Sequence, residues 1–289
     1  MFNIKNSSVP PCYNVAVKKA LKKVIKKTPF VGNTLSKNHD LMVDKGVLQL
    51  EKGQLEAELR DLKEIAGNPR NFLAQQFLHG SGIEIGAAQY PVRMPAGAHV
   101  KYVDVFTAEE LRKAWPRDYE KTDIVEIDVV DDGEKLAKFK GNSLDFIIAN
   151  HFFEHCLDPI GTLINMNKKL HKDGVLYMAI PDKRYTFDSE RPLTTYNHLL
   201  AEHADKTNQK FRREHTEEFV RLGDKYKGDI KKRTQELLDS GYRVHYHVWT
   251  SKEMTELFTR AGIDFKINFE IQALIKNNHE VIYILRKLS

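Results

Sequence analysis

The chain has 289 residues, of which 41% are hydrophobic and 29% are charged, and its formal net charge is +5. This composition is too apolar for a wholly disordered chain and too polar for an integral membrane protein. The length predicts one large domain with appendages. The two cysteines, Cys12 and Cys156, lie far apart in the sequence, which favours a reducing compartment. We therefore expect a cytoplasmic protein.

The charge is distributed unevenly along the chain. The first 39 residues contain eight lysines and no acidic residue, so the remaining 250 residues carry a net charge near −3. Proteins that bind nucleic acid cluster Lys and Arg over the working face. Because the basic excess belongs to the N-terminal arm, we expect no nucleic-acid partner.

Residues 1–69 read as a helical N-terminal extension. Residues 13–28 have apolar side chains at helical spacing and lysines on the other side, which predicts a basic amphipathic helix. Such a helix lies peripherally on an anionic membrane, here the inner membrane surface, or packs on its own protein, and the pattern leaves both open. A short heptad stripe then predicts a helix that packs on the next domain or forms a homodimer contact, through Leu41, Leu48, Leu55 and Leu62.

Residues 70–289 alternate β-rich and helical patterns, which predicts an α/β fold with a seven-stranded, mostly parallel sheet and helices on both faces. The predicted strands are 82–86, 100–105, 124–129, 144–150, 174–180, 263–269 and 280–285. The predicted helices are 107–115, 159–170 and 251–261. The last two strands read as a hairpin at the edge of the sheet, joined through residues 276–278.

The ends of the first two strands carry candidate binding groups. The first strand runs into a turn of small residues, Gly86, Ala87 and Ala88, where backbone N–H groups can approach a ligand closely. Asp104 ends the second strand, twenty residues after Glu84. Nucleotide-binding α/β folds place an acid at this separation on the ribose hydroxyls, which predicts the same contact here.

The next two strands also end in polar groups. Asp128 closes the third predicted strand, and Asn150 and His151 follow the fourth. Open α/β sheets bind ligands at the carboxyl ends of their strands, so all four features fall on one edge. A dinucleotide-binding turn is disfavoured, because Pro91 would break the helix that receives a pyrophosphate.

This series of strand ends, followed by the run Asn150–Pro159, resembles the motifs of class I S-adenosylmethionine-dependent methyltransferases. The likeness is greatest to bacterial methyltransferases of surface-glycan synthesis, of the O-antigen or capsule type, which also have an Arg-Pro-Leu-Thr segment and a late His-Val-Trp-Thr. It implies a Rossmann-like methyltransferase fold with a helical cap insertion. One departure is Ala88, which stands where the common pattern has a second glycine.

The resemblance also implies a cofactor, S-adenosylmethionine, with S-adenosylhomocysteine as the product. Glu84 and Gly86 would hold its amino-acid end, Asp104 its ribose and Asp128 its adenine amine. Asn150 and His151 would lie next to the methyl group. The full set of implied cofactor-binding residues is Glu84, Gly86, Ala87, Ala88, Asp104, Val105, Asp128, Val129, Asn150 and His151.

A hydroxyl acceptor needs a base, because an alcohol is a poor nucleophile near neutral pH, and histidine is the usual base. The candidates are His151 and His155, at i, i+4 spacing after the fourth strand, and His245 and His247, which alternate in an extended segment. A hydrogen-bonded structural role is the alternative for each. Paired acids typical of a magnesium site are lacking at the strand ends, so we expect no metal ion.

Residues 181–250 form an insertion between the fifth strand and the last helix, with a charged helical stretch at 207–238. We expect a cap over the methyl-donor site, because long functional insertions of this kind commonly bind substrate. A solvated helical lid is the alternative. The candidate acceptor-binding residues are Asp182, Arg184, Tyr185, Arg191 and His198.

The sequence therefore predicts an S-adenosylmethionine-dependent O-methyltransferase that acts on a sugar hydroxyl of a bacterial surface glycan or glycan precursor. Two alternatives stay open at this point. One is a methyltransferase for a small molecule, such as a secondary metabolite or an amine. The other is a non-catalytic assembly protein that keeps the fold.

Overall fold

The computed structural model describes residues 29–119, 123–205 and 207–288. The predicted amphipathic helix at 13–28 lies outside these residues. The chain divides into two units between Ile65 and Ala66. Across the described ranges, no helix is both long enough and apolar enough to span a membrane.

A seven-stranded sheet organises the second unit. Its strands are β1 Ser81–Ile85, β2 His99–Asp104, β3 Val129–Val130, β4 Leu144–Ile148, β5 Leu170–Pro181, β6 Phe269–Asn277 and β7 Glu280–Lys287. Their spatial order is β3-β2-β1-β4-β5-β7-β6. The first five strands are parallel, whereas β7 runs antiparallel to both β5 and β6. The predicted α/β fold class and the closing hairpin are confirmed.

Nine α-helices occur in the described part of the chain. They are α1 Pro29–Gly67, α2 Pro69–Phe77, α3 Ala108–Ala114, α4 Pro116–Tyr119, α5 Pro159–Lys169, α6 Tyr196–Ala204, α7 Gln209–Glu218, α8 Ile230–Asp239 and α9 Ser251–Phe265. Capping residues set several starts: Thr107 and Thr250 form capping boxes with Glu110 and Glu253, and Asp158 caps α5. The three predicted helices of the second unit are thus present, within a few residues of their predicted bounds.

The long helix α1 carries the heptad stripe. Leu48, Leu55 and Leu62 are each about two-thirds exposed, at 63%, 64% and 63%. The predicted homodimer contact through this stripe stays a prediction.

The sheet buries apolar side chains on both faces, because successive residues of a strand point to opposite sides. In β4, Ile147 belongs to a core with α5 and α9, while Phe146 and Ile148 belong to a second core with α2. All three side chains have 0% exposure. Helices therefore cover both faces, and the carboxyl ends of β1, β2 and β4 stay at one open edge.

Three predicted elements are wrong in their bounds. The strand at 124–129 shortens to β3, because the N–H of Val125 donates to the carbonyl of Ala88 and not to a neighbouring strand. The strand at 263–269 begins only at Phe269, because α9 continues to Phe265 and ends at Lys266 with a φ of +55°. The helical stretch at 207–238 divides into α7, a π-helix and α8.

The close pairing of β1 with β4 depends on Gly82. A Cβ atom at this position would lie 2.3 Å from the backbone oxygen of Phe146, which cannot move without breaking the strand pairing. We expect Gly82→Ala to lower the free energy of unfolding by about 1–3 kcal/mol, the usual range for overpacking. Urea unfolding followed by circular dichroism measures the change.

The matched control is Gly53→Ala in α1, where a new Cβ meets no atom within 4 Å. This change improves helix propensity and should not destabilise the sheet. Equal unfolding midpoints for wild type and Gly82→Ala would contradict the proposed clash.

Candidate functional site

Two adjoining cavities open at the carboxyl edge of the sheet. The first has a volume of about 740 Å³ and lies over the turn after β1, Asn150 and His151 after β4, and the β6–β7 hairpin. The second, of about 510 Å³, lies over Asp104 after β2 and the turn after β4. Ile85 and Gly86 line both cavities, so the end of β1 is their common wall.

The chain turns sharply directly after β1, at the wall that the two cavities share. Gly86 has a φ of +65° and Ala88 a φ of +45°, so the chain reverses at once where the strand ends. Gly86 donates its N–H to the carbonyl of Val103, and a Cβ at Gly86 would meet nothing within 4 Å. Glycine is therefore needed there for its backbone angle and not for space. The predicted residues Gly86, Ala87 and Ala88 all line the first cavity.

Glu84 lies beside this turn and is 1% exposed. Its carboxyl oxygens accept the N–H of Val92 at 3.1 and 3.2 Å. Burial disfavours the charged form and raises the pKa of Glu84 to about 7, although the Val92 hydrogen bond and Arg70 act in the opposite direction. The side chain can therefore exchange a proton near neutral pH in the wall of the first cavity.

The second cavity combines one carboxylate with an aromatic wall. Asp104 and Val105 line it, as predicted, and burial raises the pKa of Asp104. Phe106 and Trp115 pack edge to face with their ring centroids 5.5 Å apart. A slot with aromatic walls and one acidic acceptor, lined also by His155 and Arg243, suits a planar heterocycle joined to a hydroxyl-bearing ring.

Asp128 and Val129 do not reach this slot. Asp128 precedes β3, and its Oδ2 accepts the N–H of Tyr102 at 2.7 Å, so it satisfies the edge of β2. Val129 packs against the core. The structure instead brings Gly133 to the second cavity, where a Cβ would lie 2.6 Å from Ile85. The predicted adenine contact of Asp128 is not supported, because Asp128 hydrogen-bonds to β2 and the residue of this segment that lines the cavity is Gly133, five residues later.

Two residues after β4, Asn150 and His151, line the first cavity. Asn150 accepts the N–H of Ala179 through Oδ1 at 2.8 Å, while its buried Nδ2 has no partner among the described residues. His151 has a φ of +48°, which turns its ring toward Glu280, and Nε2 lies 2.7 Å from the Glu280 carboxylate. No local pattern predicts this pair, because 129 residues separate its members.

Glu280 is 2% exposed and holds its charge through ion pairing. Arg70 donates to it from Nε at 2.8 Å, and Asn277 donates at 2.7 Å. Burial works against ionisation, but the hydrogen bonds from Arg70 and His151 outweigh it and lower the pKa of Glu280 to about 2. The carboxylate therefore fixes Nε2 of His151 as the protonated nitrogen.

His155 and His245, two further candidates for the base, form other hydrogen bonds. His155 lines the second cavity, and its Nδ1 donates to the carbonyls of Arg243 and Val244 at 3.1 and 2.9 Å. Burial lowers the pKa of His155, which keeps the ring neutral. His245 places Nδ1 2.7 Å from Oδ2 of Asp188. In both rings these hydrogen bonds involve Nδ1 and not Nε2.

Two predicted residues, His247 and His198, belong to another cluster, which also contains Glu202 and His215. Nε2 of His247 lies 2.8 Å from Glu202 and that of His198 lies 3.1 Å from it. Burial lowers the pKa of His247 to about 4. Neither His247 nor His198 lines the two cavities. The prediction that they serve as base and acceptor contact is not supported, because one buried carboxylate engages both.

The other predicted acceptor contacts also lie away from the cavities. Arg191 is 1% exposed and ion-pairs with Asp188 and Glu218, both at 2.8 Å, so it cannot meet a substrate as expected. Asp182 is buried and binds Arg184. Arg184 and Tyr185 are exposed on the surface outside both cavity linings. The sequence predicted substrate contacts from the charged residues of the insertion, but Asp182, Arg184 and Arg191 form ion pairs within the insertion.

A family model described as a methyltransferase domain matches residues 56–265. No curated protein matches the chain. Among solved structures, the chain is similar to a SAM-dependent methyltransferase from Methanosarcina mazei, with 18% identity over 76% of this chain and 98% of that chain and a TM-score of 0.42. A SAM-dependent methyltransferase from Aquifex aeolicus has 10% identity over 81% and 98%, with a TM-score of 0.40.

The raised pKa of Glu84 predicts a pH-dependent stability. The folded state binds the proton more tightly than the unfolded chain, whose pKa is near 4.5, so stability falls as pH rises from about 4.5 through about 7. Glu84→Gln removes this loss. We expect the variant to gain roughly 2–3 kcal/mol relative to wild type between pH 5 and pH 8.5. Urea unfolding at several pH values measures the difference.

The matched control is Glu109→Gln, at an exposed position on α3. This variant should follow the wild-type pH dependence throughout. A wild-type protein that is no less stable at pH 8.5 than the Glu84→Gln variant, relative to pH 5, would contradict the prediction.

Proposed function

The chain belongs to the methyltransferase domain family, and we propose that this S-adenosylmethionine-dependent methyltransferase methylates a hydroxyl group of a sugar, as in a bacterial surface glycan or its precursor. The observation that carries the proposal is the His151–Glu280 pair in the wall of a polar cavity, next to a slot suited to a nucleoside. An orienting carboxylate with a histidine is the arrangement that general-base catalysis on a hydroxyl needs.

The residues present fit S-adenosylmethionine. Asp104 would accept hydrogen bonds from the ribose hydroxyls, and the aromatic wall of Phe106 and Trp115 would cover the adenine. The unpartnered Nδ2 of Asn150 and the carboxyl group of Glu84 lie in the first cavity, on the other side of Gly86. These two groups would hold the amino-acid end, and Gly86 lets the chain of the cofactor pass between the cavities.

The first cavity offers more polar groups than the cofactor needs. Besides the residues assigned to the cofactor, its wall contains the polar residues Arg70, His279, Asn68, Asn71, Gln89 and Asn277. Amides both donate and accept, so they match hydroxyl groups, which do the same. A volume of about 740 Å³ also exceeds what an amino-acid end fills. A hydroxyl-rich acceptor is the class that this lining supports best.

His151 is the base in this proposal. Because Nε2 donates to Glu280, the lone pair is on Nδ1, which takes the proton of the acceptor hydroxyl. S-adenosylmethionine would supply an electrophilic methyl group, which the acceptor oxygen would take as the carbon–sulfur bond breaks and its electron pair stays on sulfur. Glu280 stabilises the protonated ring, and Arg70 keeps Glu280 in place.

Replacement of Asp104 tests the cofactor slot. We expect Asp104→Ala to weaken the binding of S-adenosylhomocysteine about 10- to 100-fold, the loss of a charge-assisted hydrogen bond pair. Isothermal titration calorimetry measures the dissociation constant. Asp128→Asn is the control, because Asp128 lies outside the slot and its amide oxygen can still accept the N–H of Tyr102. Equal losses in both variants would count against this placement of the cofactor.

Replacement of His151 tests the base and the acceptor class together. A radiolabelled methyl donor with a panel of sugars, glycans, amines and phenols should label a sugar hydroxyl. We expect His151→Ala to lower kcat at least about 100-fold while the dissociation constant of S-adenosylhomocysteine changes less than about threefold. His171→Ala, at an exposed position of β5, is the control. Label on amines alone would replace the sugar proposal with an N-methyltransferase.

A further inference from the structure

Glu154 is a buried carboxylate without a hydrogen-bond donor among the described residues. The residue is 1% exposed, and neither Oε1 nor Oε2 has a hydrogen-bond partner in the described structure. The nearest imidazole nitrogens are Nδ1 of His151 at 3.6 Å and Nε2 of His245 at 4.0 Å, both beyond hydrogen-bond distance. An isolated buried charge costs several kcal/mol, so such a group calls for a bound cation or a proton.

Two imidazole rings present free nitrogens to this carboxylate. In His155 the Nδ1 hydrogen points to the carbonyls of Arg243 and Val244, and in His245 it points to Asp188, so each Nε2 carries a lone pair. One ligand atom from each of Glu154, His155 and His245 lies within 4.8 Å of the others. This spacing allows all three to reach one ion at about 2.0–2.2 Å with small rotamer adjustments.

The outer contacts are those of a metal site. Metal-binding histidines commonly donate their second ring nitrogen to a carboxylate or a backbone carbonyl, which fixes ring orientation. Here Asp188 holds His245, and the fully buried Arg191 holds Asp188 at 2.8 Å. Arg191 also donates to the carbonyl of His245 at 2.7 Å. This chain of contacts gives the buried arginine a role in positioning the site.

The other two polar clusters differ in that their carboxylates have hydrogen-bond donors, although in the Glu202 cluster Nε2 of His198 also lies 3.1 Å from Nε2 of His215 and the buried Nδ1 of His247 has no partner among the described residues. Glu202 accepts from three histidines, with Nε2 of His215 at 2.5 Å, and Glu280 is paired with Arg70. Those carboxylates already have donors for both oxygens. Among the clusters of the described residues, the one at Glu154 is therefore the one in which the carboxylate lacks any donor.

We propose that Glu154, His155 and His245 bind a divalent first-row transition-metal ion, which in turn binds the acceptor hydroxyl. Two imidazole nitrogens and one carboxylate, with open positions left for other ligands, form a donor set that such ions prefer. This inference deepens the proposed function and rests on it for the role of the ion, although the site itself stands on the geometry alone.

The ion has a defined task in the reaction. It withdraws electron density from the acceptor oxygen and makes the hydroxyl proton easier to remove. His151 takes that proton on Nδ1, which lies 3.6 Å from Glu154 and thus next to the ion. The oxygen then forms the bond to the methyl carbon as the carbon–sulfur bond breaks, with the electron pair left on sulfur. No oxidant or reductant is needed.

Binding of Co²⁺ to the chelator-treated full-length chain tests the site without reference to activity. We expect a visible absorption band that saturates as Co²⁺ is added, with one equivalent lost in Glu154→Gln and in His245→Ala. Asp188→Asn, which leaves the three ligands in place, should weaken Co²⁺ binding about 10- to 100-fold. Thermal melts show which variants fold. If a ligand variant does not fold, the weakened Co²⁺ binding of Asp188→Asn still tests the site.

His198→Ala is the matched control, because it removes a nitrogen from the Glu202 cluster and leaves the proposed ligands unchanged. This variant should keep the equivalent that Glu154→Gln loses. Absence of the band in wild type, an unaltered titration in Glu154→Gln, or loss in His198→Ala alone would each overturn the proposal, the last by placing the ion in the Glu202 cluster.

The same preparation separates this proposal from the proposed function. Metal-free wild type that binds S-adenosylhomocysteine but no Co²⁺ would end the metal site and leave the methyltransferase intact. Protein that binds Co²⁺ at Glu154 but labels no sugar hydroxyl would keep the site and refute the acceptor class.

Discussion

The site depends on a backbone constraint: the chain must turn sharply at the points where β1 and β4 end. Positive φ angles at Gly86, Ala88 and His151 accomplish this, at +65°, +45° and +48°. A non-glycine residue in this region is uncommon and carries strain that the surrounding structure must support. At His151 the support comes from Glu280 and from the N–H of the residue itself, which donates to the carbonyl of Ala179 at 2.8 Å. The two turns leave the strand ends uncovered, and the cavities occupy that space.

Buried charge is the second organising feature. Arg191, Glu202 and Glu280 are each 1% or 2% exposed, and each has partners of opposite charge or hydrogen-bond donors for its polar atoms. Breaking a buried pair leaves one uncompensated charge, so the contacts of Arg191 and Glu202 help to specify how the insertion at 181–250 folds. Glu154 departs from this pattern, since its oxygens are buried without donors. This contrast within one molecule is the reason for proposing a bound ion at Glu154.

Local signals in the sequence predicted the parts of the fold that depend on local physics. The helices predicted at 107–115, 159–170 and 251–261 are present, with starts capped by Thr107, Asp158 and Thr250, and the small residues after β1 marked the turn. Asp104, Asn150 and His151 were predicted at the sheet edge because parallel strands bring their carboxyl ends together. Pairs formed over long separations had no such signal, as with Arg70 and Glu280, which lie 210 residues apart. Asp128 was misplaced because β3 begins one residue later, so the acid precedes the strand instead of closing it.

His245 and His247 show why alternation along the chain is a weak guide to function outside a sheet. Period-two spacing puts both on one side of an extended segment, and the sequence suggested a shared role. Residues 242–248 belong to no strand, so no ladder holds them in register. The backbone N–H groups of Tyr246 and His247 both donate to the carbonyl of Glu154, and the two imidazoles then meet different carboxylates. His245 joins Asp188, whereas His247 joins Glu202, and both carboxylates belong to the insertion. One short segment therefore contacts the insertion at two separate carboxylates, and the metal site proposed at His245 depends on the folding of the insertion.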